Sequence, residues 1–155
     1  MKQFHLPTHT AEVLVGMVAT AAIALALLLY TLWEPARIAS AQARQLNTDL
    51  DQAMTLHAEN CVVCHGSAGA GIGANPPLAT EGVRAADFDT LAKVIARGRT
   101  GTAMPAWSQE DAGPLSTYQI GQLVAMVQSS GWQATAHRVA ELGLEPSLTL
   151  HSVAD

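Results

Sequence analysis

The chain has few charged residues and only two cysteines, and each scarcity narrows its class. Asp, Glu, Lys and Arg make up 14 % of the 155 residues, against roughly 25 % in soluble domains. The deficit is concentrated between Val13 and Trp33, where no charged residue occurs. From Glu34 onward, twelve acidic residues stand against seven basic ones. Such a chain lacks the basic face that phosphate binding requires, so nucleic acid is not expected as a partner.

The uncharged segment predicts a membrane span. Val13–Trp33 is apolar throughout, and at about 1.5 Å per residue its helix reaches roughly 31 Å, enough to cross a bilayer core. Tyr30 and Trp33 lie at one end, as aromatic side chains do at the membrane interface. A signal peptide is the competing interpretation, because Ala39–Ala41 resembles a small-residue cleavage site. The run is longer than the apolar region of a typical signal peptide, which favours an uncleaved anchor.

Small residues recur on one face of this segment. Gly16, Thr20 and Ala24 are spaced four residues apart, and small residues let membrane helices approach one another closely. The spacing is consistent with docking against a helix of another subunit. An Ala-rich anchor aligns small residues by chance as well, so both interpretations stay open.

Beyond the span the sequence predicts an all-α domain, because no segment alternates like a strand. Helices are predicted over Thr48–Asn60, Asp87–Arg97 and Ser116–Ser130, and Gly- and Pro-rich loops lie between them. The expected organisation comprises an N-terminal segment, a membrane helix, a linker able to continue as helix, a globular domain and a C-terminal tail. In chain order these cover residues 1–12, 13–33, 34–47, 48–131 and 132–155.

Both cysteines belong to one motif. Cys61-Val62-Val63-Cys64-His65 is the C-x-x-C-H pattern of covalent haem attachment. Residues three apart at a helix end lie on the same side, so both thiols can reach the vinyl groups of one porphyrin, while His65 places its imidazole under the iron. A zinc site would need four ligands, a thioredoxin-like dithiol would need a βαβ context, and a disulfide would leave His65 without a role.

Residues 48–131 resemble the class I cytochromes c. A helix leads into Cys61–His65, a Gly-rich loop then carries Pro76–Leu78, and Thr102–Trp107 precedes a final helix that starts near Leu115. The resemblance implies three main helices around a single covalently bound haem c. It also implies a one-electron carrier rather than an enzyme.

The resemblance implies Met104 as the sixth iron ligand. A soft, uncharged sulfur stabilises ferrous relative to ferric iron and raises the reduction potential. Pro105 stiffens the ligand loop and so lowers the ordering entropy that the Fe–S bond requires. His57, His137 and His151 remain as alternatives for a haem with two histidine ligands.

The family also places a proline carbonyl behind the proximal histidine, where it accepts the ring's other N–H. The resemblance maps this role to Pro76, with Pro77 as a close rival, and it implies that Leu78 packs on the haem face. Three further side chains are expected within reach of the haem propionates: Arg97, Arg99 and Trp107. For the two arginines a plain solvated loop is the alternative.

One departure from the family lies where the first and last helices cross. Ala53 keeps the small residue usual at this contact, but His57 and Met126 stand where aromatic side chains are usual. A softer crossing is therefore expected, although Met fills irregular gaps well.

Charge counting does not settle the orientation, because Lys2 on one side is balanced by Arg37 and Arg44 on the other. The resemblance settles it, since c-type haem is attached outside the cytoplasmic membrane. It implies a single-pass protein of the inner membrane with a cytoplasmic N-terminus and a periplasmic, extracytoplasmic haem domain. The lack of further cysteines fits an oxidising compartment.

The leading functional hypothesis is a redox subunit or tethered carrier between a quinol-oxidising complex and a terminal acceptor. The architecture resembles the monohaem cytochrome subunits of alternative complex III. The expected partners are the lipid bilayer, membrane subunits of an electron-transfer complex and redox partner proteins. A haem peroxidase or gas sensor would need a labile sixth ligand, against which Met104 argues. A mainly structural subunit, docked through Ala134–Leu142, is the third hypothesis.

Overall fold

The computed structural model describes residues 8–129 and 131–146. Within these ranges the chain is all-helical and has no strands, which confirms the predicted fold class. One 3-10 turn covers Gln109–Asp111, and a single bridge joins Ser108 to Leu115. The α-helices, in chain order, are α1 (Thr8–Asn60), α2 (Val62–His65), α3 (Glu81–Arg84), α4 (Phe88–Arg97), α5 (Thr117–Gln128) and α6 (Trp132–Glu141).

The chain divides into two units between Gln45 and Leu46. The first unit contains the apolar part of α1, which is long and apolar enough to cross a membrane and buries none of its side chains. Residues 34–47, predicted as a linker, are helical throughout even though Pro35 lies inside the helix. Glu34 and Arg37 form an ion pair of 2.6 Å one turn apart, which supports the helix at this point.

The second unit is organised around the crossing of α1 and α5. Ala53 is fully buried and packs against Met126 and Val127, because only a small residue allows the two helices this close approach. A buried polar contact accompanies the apolar one: Gln122 donates from Nε2 to Asp49 at 2.9 Å and to Gln52 at 2.7 Å. These bonds fix the register of the two helices.

Helices α4 and α5 begin at capping residues that the sequence indicates. The Asp87 carboxylate accepts the Thr90 N–H at 3.0 Å, and Ser116 forms a capping box with Gln119. Both caps satisfy backbone donors at the helix start. Helix α5 ends at Gln128, slightly before the predicted Ser130. Its buried face joins Leu115, Ile120 and Leu123 in one cluster, with side chains of α4 packed against it.

Helix α6 occupies part of the segment that the sequence assigns to a tail. Val139 is fully buried and clusters with Ala58 and Val62, and Thr135 is 1 % exposed. Arg138 forms an ion pair with Asp51 of α1. One face of the Ala134–Leu142 stretch therefore packs against the rest of the globular unit, because Val139 contacts residues of α1 and α2.

The crossing near His57 differs from the softer contact expected from the sequence. The ring of Trp132 packs edge-on against His57, with ring centroids 5.5 Å apart and an interplanar angle of 75°. Trp132 thus supplies an aromatic ring close to where the family's own aromatic residues are missing. Edge-to-face pairs of this kind add about 0.5–1.5 kcal/mol beyond the area they bury.

Candidate haem-binding site

The cysteine motif forms a short helical turn. Cys61 is the N-cap of α2, and its carbonyl accepts the N–H groups of Cys64 at 3.1 Å and His65 at 2.9 Å. Both cysteines are free thiols and half-buried. Of the two intervening residues, Val62 is 6 % exposed and Val63 is 67 % exposed. The turn is therefore anchored through Val62, with both thiols carried on the same short helix.

Burial, reinforced by the nearby Cys64, raises the pKa of the Cys61 thiol to about 12.

The His65 imidazole is oriented by a backbone carbonyl. Its Nδ1 lies 3.0 Å from the carbonyl oxygen of Pro76, and in the tautomer protonated at Nδ1 it donates to that oxygen. The contact is made with Pro76 and not with its rival Pro77. Such a bond leaves the Nε2 lone pair free, fixes the ring orientation and makes Nε2 a more basic ligand.

Residues 66–80, called here the histidine loop, are held by backbone hydrogen bonds. The N–H groups of Gly71 and Ile72 return to the carbonyls of His65 and Cys64 at 2.8 and 3.0 Å. The Gly69 carbonyl accepts the N–H groups of Leu78 and Ala79 at 2.8 and 2.9 Å. These bonds hold both ends of the loop, so the segment that carries Pro76 is fixed relative to His65.

A glycine is required at position 71 of this loop. Gly71 has φ +81°, and a Cβ there would lie 2.5 Å from the Asn75 carbonyl oxygen. By contrast, a Cβ at Gly73 would meet nothing, although its φ is also positive. Packing therefore excludes a side chain at position 71 but not at position 73.

Met104 lies half-buried in residues 98–107, called here the methionine loop. Its carbonyl accepts the Arg99 N–H at 3.1 Å, and its own N–H donates to the Thr102 hydroxyl oxygen at 3.3 Å. A Cβ at Gly98, where φ is +68°, would lie 2.5 Å from the Met104 carbonyl oxygen. Gly98 is not among the residues predicted from the sequence to belong to the site, although a glycine directly after a helix is a recognisable signal.

The histidines considered as alternatives to Met104 have other contacts. His57 Nε2 lies 3.0 Å from the Gly66 carbonyl oxygen. Burial lowers the pKa of His57, the hydrogen bond to Gly66 opposes that shift, and the charge of His65 adds to it. His137 lies 3.3 Å from Glu141 on an exposed face of α6. His151 lies outside the described residues.

The remaining predicted residues fall in two groups. Leu78 packs against the Ala53, Met126 and Val127 cluster, and Trp107 packs against the cluster around Leu115. Both are half-buried side chains bordering the loops that carry the ligand candidates. Arg97 and Arg99 are exposed, at the end of α4 and just beyond it.

This donor set fits a c-type haem. It provides two thiols not joined by a disulfide, an imidazole whose Nδ1 is already engaged, and a thioether in a separate loop. Histidine with methionine is an axial pair of cytochromes c. No cluster of three or more His, Cys, Asp or Glu side chains suited to a metal ion occurs among the described residues.

Comparison with known proteins gives a consistent result. The family model described as cytochrome c oxidase, cbb3-type, subunit III matches residues 48–125. Cytochrome c55X of Stutzerimonas stutzeri is 33 % identical over 90 residues, covering 58 % of this chain and 75 % of that protein. No solved structure is significantly similar to the chain. The family match ends within α5, so α6 lies beyond it.

Proposed function

Because this chain belongs to the c-type cytochrome family that the matching model and cytochrome c55X represent, we propose that it carries single electrons as a membrane-anchored protein with one covalently attached haem. Membership alone establishes a haem-c protein of electron transport, and a single haem is part of the proposal. Our proposal adds which residues attach the haem and bind its iron. It also adds that the protein is anchored in a membrane and which partners it has there.

The observation that carries the site assignment is the hydrogen bond between His65 Nδ1 and the Pro76 carbonyl, directly after the C-x-x-C turn. Cys61 and Cys64 form the two thioether links, and His65 binds through Nε2. Met104 provides the sulfur ligand from the methionine loop. Haem c, when bound, supplies a one-electron redox centre.

Two protein ligands make the site suited to outer-sphere transfer. His65 and Met104 would both hold the iron of a bound haem, which would leave no coordination position for a substrate. Pro76 holds the imidazole of His65 in one orientation. The half-buried Leu78 and Trp107 limit the access of water near the ligand loops. A peroxidase or a gas sensor would instead need Met104 to leave readily.

The apolar part of α1 supports a single-pass anchor. In the proposal the N-terminus is cytoplasmic and the haem domain faces the periplasmic side of the inner membrane, where c-type haem is attached. An anchored carrier reaches partners only within a limited radius. We therefore place it with a quinol-oxidising respiratory or photosynthetic complex, in an architecture similar to that of alternative complex III.

The ligand assignment is tested by Met104→His. The variant should keep covalent haem, as measured by the pyridine haemochrome assay, because Cys61 and Cys64 are untouched. It should lose the sulfur–iron absorption band and have a lower reduction potential, since imidazole favours ferric iron more than thioether does. An unchanged band would exclude Met104. The double variant Cys61→Ala with Cys64→Ala is the companion, because it removes both thioether links and should leave any bound haem removable by acid–acetone extraction.

The assembly is tested by mild detergent extraction of the full-length chain from its membrane. Elution with large membrane subunits and further redox centres supports a built-in subunit of a quinol-oxidising complex. Elution alone, with reduction by a separate complex, identifies a tethered shuttle and contradicts the subunit proposal.

A further inference from the structure

Helix α6 lies beyond the family match, yet it contacts the segments that carry the haem-binding residues. Near its C-terminal end, Val139 is fully buried against Ala58 and Val62. Val62 is the residue between Cys61 and His65 that faces inward. Helix α6 is thus packed directly against the C-x-x-C-H turn.

The first residue of α6 contacts the histidine loop. A Cβ placed on Gly69 would meet three ring carbons of Trp132 at 2.5–2.7 Å, so the indole lies flush against the Gly69 backbone. Gly69 is buried and its carbonyl accepts the N–H groups of Leu78 and Ala79. Pro76, which orients His65, precedes Leu78 by two residues. Trp132 therefore packs against Gly69, whose carbonyl holds the residues that follow Pro76.

A second contact leads from the same ring to the start of the loop. Trp132 packs edge-on against His57, and His57 Nε2 is hydrogen-bonded to the Gly66 carbonyl oxygen. That carbonyl also accepts the Gly69 N–H at 3.1 Å. The indole Nε1–H is buried and has no partner among the described residues. Trp132 thus acts through the surface of its ring, not through a polar contact.

We propose that α6 positions the proximal ligand, with Trp132 as the positioning residue. Its ring holds Gly69 and, through Leu78 and Ala79, keeps the Pro76 carbonyl in line with His65 Nδ1. Because that hydrogen bond makes the imidazole a stronger donor to ferric iron, α6 lowers the reduction potential of the site. The inference rests on the proposed haem ligation by His65.

The test compares Trp132→Ala with Trp132→Phe in the full-length holoprotein in detergent. Trp132→Ala should shift the reduction potential upward, because the Pro76–His65 bond loosens, while the sulfur–iron band of Met104 persists. Trp132→Phe should restore the wild-type potential, since a ring remains and the buried Nε1–H has no partner to lose. Ile120→Ala is the control: it removes buried apolar volume that packs against α4 and lies in a different cluster.

Three results are decisive. An unchanged potential in Trp132→Ala would overturn the inference. So would an equal shift in Ile120→Ala, because it would mean that the potential follows general destabilisation. A wild-type protein without covalent haem would instead contradict the proposed function, so the two failures are distinguishable.

Wild-type hydrogen exchange keeps the inference testable even if Trp132→Ala does not fold. If α6 holds the histidine loop, the amides of Leu78 and Ala79 should open together with those of Thr135 and Leu142 and show similar protection. Loss of protection in α6 while Leu78 and Ala79 stay protected would overturn the inference.

Discussion

The two loops that carry the ligand candidates are built differently. In the histidine loop, backbone bonds reach from residues 71 and 72 back to the C-x-x-C-H turn, and Gly69 joins the two sides of the loop. In the methionine loop, Arg99, Thr102 and Met104 bond to one another, and the Trp107 N–H at the end of the loop bonds to the carbonyls of Ile95 and Ala96 in α4. The interlocked loop therefore carries the proposed proximal ligand, and a local turn carries the proposed sulfur ligand. A disturbance should spread through the first loop and stay local in the second.

The largest effect is expected where the histidine loop is tightest. Gly71→Ala would force a Cβ onto the Asn75 carbonyl oxygen at positive φ, so we expect a loss of about 3–5 kcal/mol in the free energy of unfolding. Gly73 also has a positive φ, but a Cβ there would meet no other atom. Gly73→Ala should therefore cost only about 1 kcal/mol in the free energy of unfolding. Denaturant unfolding of the holoproteins measures both. Equal losses would show that the loop is not interlocked.

The corresponding glycine substitution in the methionine loop should cost less free energy of unfolding than Gly71→Ala. It should disturb the proposed ligand Met104 more. Gly98→Ala would place a Cβ 2.5 Å from the Met104 carbonyl oxygen. Because this loop yields locally, we expect about 2 kcal/mol of destabilisation together with loss of the sulfur–iron band. Gly101→Ala meets open space and should keep the band. Retention of the band in Gly98→Ala would contradict a link between the Gly98 backbone and the position of Met104.

A smaller effect is expected from Thr102→Val. The substitution removes the hydroxyl that donates to the Arg99 carbonyl at 2.7 Å and accepts the Met104 N–H. The Met104 turn should lose about 1 kcal/mol, which corresponds to roughly fivefold tighter binding of added imidazole in place of the sulfur. Thr100→Val, at an exposed position of the same loop, is the control. Identical imidazole affinities in the two variants would contradict the role of the Thr102 hydroxyl.

The smallest effect concerns pH and the start of the histidine loop. Burial holds the pKa of His57 below its usual 6.5, so the unfolded chain takes up a proton before the folded one does. The His57 contribution is then fully present above about pH 6.5 and is lost as the pH falls toward the folded pKa, by at most about 1.4 kcal/mol per pH unit. His57→Gln should flatten this slope in unfolding free energy measured from pH 7 to pH 5. A slope identical to that of the wild type would exclude His57 as its source.

The features predicted from the sequence were those whose chemistry is local. The membrane-length apolar run, the C-x-x-C-H turn and the helix predicted to start at Ser116 each depend on one continuous segment, and the structure has the corresponding helices. The choice between Pro76 and Pro77 was not accessible, because it depends on the path of the whole loop. From the sequence, Gly98 could be interpreted only as the end of a helix. Its close approach to the Met104 carbonyl depends on the folded path of the chain.

Helix α6 illustrates why some contacts escaped prediction. A helix at Ala134–Leu142 was considered for docking to a partner, but the contacts of Val139 and Trp132 within the domain were not predicted, because Val62 and Gly69 lie far upstream in the chain. The linker was predicted as able to continue as helix, and the helix does continue through Pro35, although proline removes one helical hydrogen bond.

The α1–α5 crossing has a consequence for how quickly the domain forms. Gln122 meets Asp49 and Gln52 across 73 and 70 residues of chain, so the contact that defines the fold requires a large loop to close before it contributes anything. Such long-range contacts slow folding. His65 and Met104 lie inside that interval. In the proposed ligation both bind the same iron, so the loop that remains to be closed is shorter once haem is bound, and the two ligands would speed folding as well as hold the iron.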